Sequence, residues 1–206
     1  YGWYGFNGGS VGNLTGGGID VAAKSFATTT LSAAGAGLQV YTFETFMSGI
    51  RDLPPLLNGV IAGLVSITSC ADSVDLYAAF LIGIVGATVY CFGYRAILKV
   101  GIDDPLNAFP LHGLCGAWGI VAAGLFTNTE DTKGLFYGNP KQLGVQFLGI
   151  IVITAWASIT SYICFVCIDY CVGLRVYLNE EKMGMDEAHH GGSAYPDFVK
   201  KRGAPT

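Results

Sequence analysis

The sequence predicts an all-α, polytopic membrane protein, and three observations carry that expectation. Hydrophobic residues make up 51% of the chain and charged ones only 13%, with a mean hydropathy of +0.48; a soluble domain carries about 25% charged residues. The apolar residues fall in uncharged stretches of span length, and crossing a bilayer takes about 17 to 25 residues of helix. Thirty glycines would weaken water-soluble helices, whereas membrane helices tolerate them and use them to bring backbones close. The net charge of -4 and the pI near 5.2 argue against nucleic acid as a partner. The chain opens with no cationic stretch and no initiator Met, already inside an aromatic segment at Tyr1. We therefore expect the C-terminal part of a longer polypeptide, without a signal peptide.

Taken in order, the uncharged stretches are Tyr1 to Ile19, Ser25 to Phe43, Leu53 to Ala71, Leu76 to Tyr94, Pro105 to Thr129 and Gln142 to Ile168. These predict six membrane elements, the first of them truncated. Lys24 and Glu44 stand near the two ends of the second, where long charged side chains snorkel or pair. The third is short, bounded by Pro54-Pro55 and Cys70-Ala71-Asp72, about 22 Å at helical rise. Gly59 and Gly63 give it a small-xxx-small face for close packing. The sixth, Lys141 to Leu174, would reach about 51 Å as a continuous helix, more than the bilayer core needs.

The fifth element holds a lone imidazole, His112, in an otherwise uncharged run from Pro105 to Thr129. A titratable ring at membrane depth is costly unless it is neutral, hydrogen-bonded or facing a polar path, so it marks a functional site by default. The bland alternative is a neutral ring bonded to a neighbouring helix's backbone. Asp103 or Asp104 with Pro105 makes a cap and first-turn pair, which starts the helix there. Pro110 would then kink it just before His112, and Gly113, Gly116 and Gly119 would line one side.

Cationic loop residues set the orientation. Arg51, Arg95, Lys99, Arg175, Lys182, Lys200, Lys201 and Arg202 fall on one side, against Lys133 and Lys141 on the other. The tail after Leu174 is thus expected in the cytoplasm, and Asn13-Leu14-Thr15, formally a glycosylation sequon, on the outer face. The cysteines at 164, 167 and 171 share a helical face and are expected as small core residues rather than a metal framework. His189-His190 lacks a third ligand at a useful spacing, which favours a solvated pair over a metal site.

At the start of the chain, Trp3, Tyr4 and Phe6 offer an aromatic gate or a cation-π site, and Ser10 a hydroxyl for a small hydrated cation. An interfacial aromatic belt would use the same residues. Together with the fifth element they carry a resemblance. Gly-Trp-Tyr-Gly-Phe-Asn-x-Gly-Ser, then Asp-Asp-Pro-x-x-Ala-x-x-x-His-Gly-x-Cys-Gly-x-Trp-Gly, closely resembles the ammonium transporter family of ammonium/methylammonium permeases and Rhesus proteins. The run Gly59 to Thr68 and the tail from Gly184 through Asp186 to Tyr195 look like its eukaryotic plant-type branch.

This resemblance implies the second half of an eleven-helix, pseudo-two-fold bundle that assembles as a homotrimer in the plasma membrane. Residues 1–177 would be the membrane domain and 178–206 a cytoplasmic regulatory tail. Phe6, with Trp3 beside it, matches the pore-blocking phenylalanine, Ser10 the serine of the outer ammonium-recruitment site, and His112 the second of two pore histidines. The first histidine and the other gate residues would lie in helices outside this sequence. No cofactor is implied. Where plant-type tails carry a regulatory threonine, this chain has Ala188, and Asn107 replaces an acidic residue often found there.

The expected activity is transport: ammonium sheds a proton, ammonia crosses an apolar histidine-lined pore, and the proton is relayed separately. Potassium, which cannot shed its charge, would face the full cost of burial. One rival is a sensor of the same architecture, in which occupancy moves the tail. Another is a membrane enzyme using His112 with Cys115, which three-residue spacing puts on one helical face. Cys115 has no cation to lower its pKa, however, and no carboxylate orients the ring.

Overall fold

A computed structural model describes residues 1–49, 53–192 and 194–195. The chain is all-helical across the described residues and forms two compact units, 1–152 and 153–206. Arg51, Lys200, Lys201 and Arg202, which contributed to the expected orientation, lie outside the described residues.

In the first unit α1 (Gly2–Gly9), α2 (Gly18–Ser48), α3 (Leu53–Thr68) and α4 (Leu76–Val100) precede a π-helical turn, Phe109–Leu114, that runs on into α5 (Cys115–Phe126). The expected first span, Tyr1 to Ile19, is corrected: α1 ends at Gly9, and Gly12, Gly16 and Gly17 turn the chain with φ of 75°, 58° and 91°. The second helix is longer than its uncharged core, because Asp20, Lys24 and Glu44 all lie inside α2. α6 (Pro140–Val172) begins in the first unit and ends in the second. It carries no buried residue. Cys164, Cys167 and Cys171 are accordingly exposed, not core, since composition alone does not distinguish an exposed apolar face from a buried one. The helices over Leu76–Val100, Phe109–Phe126 and Pro140–Val172 are long and apolar enough to cross a membrane, and the protein is an integral membrane protein.

α2 is the spine of the first unit, packed on both α3 and α4. The contact is tightest at Ser32, which is fully buried and donates from Oγ to the Gly63 carbonyl at 2.8 Å. A Cβ at Gly63 would sit 2.5 Å from the Ser32 carbonyl oxygen, and one at Gly83 would overlap that same oxygen. Gly59 is closed off by the Val40 side chain, so the expected small-residue face of α3 packs closely on α2. One buried cluster, around Ile67, Val74, Ile82 and Ala122, joins α3, α4 and α5. A second, around Val40, Tyr90, Leu111 and Cys115, holds the π-helical turn against α2 and α4.

At one end of these helices, Asp75 Oδ2 accepts from the Tyr137 hydroxyl at 2.7 Å and from Asn128 Nδ2 at 3.0 Å, tying the α5–α6 connection to the start of α4. At the other, Glu44 of α2 pairs with Arg95 of α4 at 2.9 Å and accepts from the Tyr94 hydroxyl at 3.0 Å, the pairing expected of a charge near a helix end. The Arg95 guanidinium lies over the rings of Phe43 and Tyr94, 5.0 and 4.6 Å from their centroids.

In the second unit α7 (Leu178–Met183) and α8 (Met185–His189) meet at Gly184, whose φ of 96° suits glycine. Asp186 Oδ2 accepts from the Ala194 amide at 3.3 Å, and the Ala188 amide donates to the Gly184 carbonyl at 3.0 Å. Arg175 and Glu181 pair at 2.8 Å, and the hydrogen bond from Arg175 holds the Glu181 carboxyl below its ordinary range. His189 Nε2 stands 3.7 Å from Glu180 Oε2, and His189 and His190 are both exposed, as expected of a solvated pair. Among the described residues no three His, Cys, Asp or Glu side chains gather as a metal site.

Candidate functional site: an apolar cavity below Trp3, Phe6 and His112

The segment before His112 departs from the expected helix start. Asp103, Asp104 and Pro105 precede the helix, which begins at Phe109. Asp104 does cap it, but from a distance: its carboxylate accepts from the amides of Ala108 at 2.8 Å and Phe109 at 2.9 Å. Between them Asn107 takes φ of 54°, the one positive value at a non-glycine among the described residues. Pro110 therefore falls in the first turn, where its missing N–H costs nothing, and does not kink a running helix. The irregularity is a π-helical turn with His112 inside it, a form that recurs at functional positions.

The turn separates His112 from Cys115. Cys115 is fully buried with Sγ 3.4 Å from the Gly86 carbonyl, while His112 is exposed on a cavity wall, so the one-face geometry considered for an enzyme does not form. The ring of His112 faces the cavity and makes no hydrogen bond among the described residues. The glycines beside it differ in use. Gly119 is pressed on the Ser66 carbonyl, a Cβ at Gly113 would meet the Phe109 ring, and Gly116 faces open space with nothing nearer than Val65 at 3.9 Å.

That open space is a cavity of about 440 Å³ lined by Trp3, Phe6, Val65, Thr68, Ser69, His112 and Gly116. Three of the residues singled out in the sequence, Trp3, Phe6 and His112, thus meet although more than a hundred positions separate them. Trp3 is fixed: its Nε1 donates to Thr68 Oγ1 at 2.8 Å, and Thr68 passes its own proton to the Leu64 carbonyl at 2.8 Å. Phe6 lies 5.8 Å from Trp3, centroid to centroid, and is 60% exposed. Trp3 and Phe6 both line the wall of this cavity.

Ser10 is not in this cavity. It lines a smaller polar one, about 130 Å³, with Asn7, Ser25, Asp72, Thr68 and Ser69, and donates to the Phe6 carbonyl at 2.7 Å. Thr68 and Ser69 belong to both walls, so the polar recess and the apolar cavity adjoin. Asn7 is oriented by proton accounting. Thr29 Oγ1 spends its proton on the Ser25 carbonyl, so it must accept from Asn7 Nδ2, at 2.9 Å. Asn7 Oδ1 is left without a partner among the described residues. Sequence reasoning missed Ser69 and Ser25, and held Asn7, Val65 and Thr68 only as parts of motifs; nothing local distinguishes these residues from ordinary helix-packing positions.

The arrangement can do one thing well chemically: take a small polar guest from a polar recess into an apolar space that ends at a single imidazole. The chain is 34% identical to the ammonium transporter Amt2 of Archaeoglobus fulgidus over 97% of its own length and 44% of that protein's. It is 35% identical to ammonium transporter 1 member 1 of Arabidopsis thaliana over 96% of its length and 44% of that protein's. Among solved structures it is similar to Saccharomyces cerevisiae Mep2, with a TM-score of 0.79 and 30% identity over 87% of this chain and 42% of that one. A structure titled Sensor Amt Protein matches with a TM-score of 0.81 and 29% identity over 91% of this chain and 46% of that one. The chain spans less than half the length of each. Archaeal and plant relatives match about equally, so the plant-type branch is not singled out. The model of the Ammonium Transporter Family matches residues 1–195, and the chain belongs to that family.

Proposed function

We propose that this chain is the second half of an ammonium transporter. Ammonium is recruited at the outer end near Ser10 and gives up a proton, and ammonia crosses the apolar cavity between Phe6 and His112. The observation that carries this reading is the meeting of Trp3, Phe6 and His112 around one apolar cavity, with a polar recess against its wall. A cation entering such a cavity would lose its hydration shell without gaining anionic partners, a penalty ammonia avoids. His112, which makes no hydrogen bond among the described residues and lines the cavity, would be available to the guest, and the proton would travel separately. Trimeric assembly, plasma-membrane location, a membrane domain over 1–177 and a cytoplasmic regulatory tail over 178–206 belong to the same proposal.

The test is ammonium-evoked current and uptake in cells expressing the complete protein, beside its His112→Ala variant. A saturable inward current that is lost or becomes unselective in the variant is expected. Unchanged rate and selectivity would remove His112 from the path. The similarity to a protein titled a sensor supports a second reading, in which occupancy is signalled through the tail. Ammonium binding at the cell surface with neither current nor uptake would favour it.

A further inference from the structure

Tyr90 of α4 is 2% exposed, yet its hydroxyl oxygen accepts two amide N–H groups. Asn58 Nδ2 of α3 donates from 2.9 Å and Asn107 Nδ2 from 3.3 Å. Asn107 is the left-handed residue through which the chain enters the π-helical turn. Its own amide donates to the Asp104 carbonyl at 3.0 Å, and its carbonyl accepts from the Leu111 amide at 3.1 Å. The Tyr90 ring, in turn, packs in the same buried cluster as Leu111 and Cys115, the residues on either side of His112. One side chain thus holds the turn twice, by its oxygen at the entrance and by its ring in the buried cluster with Leu111 and Cys115.

We infer that Asn58, Tyr90 and Asn107 form a latch that positions His112 in the cavity, a role that rests on the proposed path through that residue. None of the three touches the guest; they are positioning residues. The physical reason is geometric. A π-helical turn carries one more residue per hydrogen-bonded ring than an α-helical one. If Asn107 relaxed to an ordinary right-handed helical conformation, that register could be lost and the residues after it would rotate. The hydrogen bond to a buried Tyr90, itself anchored to α3 through Asn58, keeps Asn107 left-handed, a conformation asparagine tolerates better than most residues.

The experiment uses the complete protein in cells, with uptake and ammonium-over-potassium selectivity measured at matched surface level. Tyr90→Phe keeps the ring and deletes the accepting oxygen; Asn107→Gly keeps the backbone conformation and deletes the amide. Each is expected to slow uptake about fivefold and to shift selectivity toward that of His112→Ala, and the double variant is expected to be no worse than either, as for residues acting through one contact. Asn107→Asp is expected to recover uptake, because its carboxylate accepts the Tyr90 proton while the oxygen still accepts from Asn58. Parental selectivity in Tyr90→Phe and Asn107→Gly, with His112→Ala impaired, overturns the latch alone, as do losses that multiply in the double variant. An unimpaired His112→Ala overturns the latch together with the path on which it rests.

Discussion

The indole N–H of Trp3 donates to Thr68 Oγ1 across the α1–α3 contact at 2.8 Å, and Thr68 can receive it because its own proton is committed to the Leu64 carbonyl. Thr68→Val keeps the shape and removes the acceptor, so the indole loses its anchor. The expected cost is about 1–3 kcal/mol of stability for an unpaired partly buried N–H, with a slower uptake. Thr68→Ser is expected to retain both. Thermal unfolding of the purified protein and uptake by cells read the two effects separately.

Glycines near the site divide into those that hold the helices and one that leaves room. Gly83→Ala would drive a methyl into the Ser32 carbonyl, and a loss of about 1–3 kcal/mol or failure to fold is expected, read as a lower melting temperature. Gly116→Ala meets nothing closer than Val65 at 3.9 Å, so the melting temperature should stand while the cavity beside His112 narrows and uptake falls. A drop in stability at Gly116, or none at Gly83, would contradict the packing described.

The Glu44–Arg95 pair has side chains 13% and 28% exposed, enough burial for loss of the guanidinium to be costly. Arg95→Met is expected to destabilise by about 2–4 kcal/mol, because it leaves the Glu44 carboxylate without its guanidinium and removes the stacking on Phe43 and Tyr94. Adding Glu44→Leu to that variant should recover part of the loss. Denaturation of the single and double variants in detergent checks the cycle.

The clasp at Asp75 predicts an acid limit. Hydrogen bonds from Tyr137 and then Asn128 hold the Asp75 carboxyl below its ordinary range. Since the folded value is the lower one, its stabilisation is complete above the unfolded carboxylate value, about 3.9, and is lost as pH falls through the folded value. Tyr137 shifts the opposite way, raised by its hydrogen bonds to Tyr77 and Asp75, so its contribution persists through neutral pH and fades only at strongly alkaline pH. Asp75→Asn should lower the melting temperature at neutral pH and converge with the parent as pH falls through the lowered carboxyl value, followed by melting curves across pH.

Uncharged runs located α2 to α6 in the sequence because a helix interior in lipid excludes charge; they misplaced the ends because Asp20, Lys24, Glu44, Arg95 and Lys99 are carried inside the terminal turns. The start at Pro105 misled because Asp104 caps across a left-handed Asn107, a geometry with no local signature. Hydropathy also cannot tell a core face from a lipid face, hence the cysteines of α6. At the site, Trp3, Phe6 and His112 stood out by type. Their meeting depends on how α1, α3 and α5 pack, and so do Val65, Thr68 and Ser69 in the wall.

The Ser32 crossing bears on how fast such a molecule can work. Three helices pressed backbone to backbone at one point can tilt, but they cannot shear past one another without breaking van der Waals contact on two sides at once. The wall that carries Thr68 and Val65 is thus part of a riveted frame. If the proposed transport path is right, a conduit built on such a frame would not wait for its walls to rearrange each time a molecule passes.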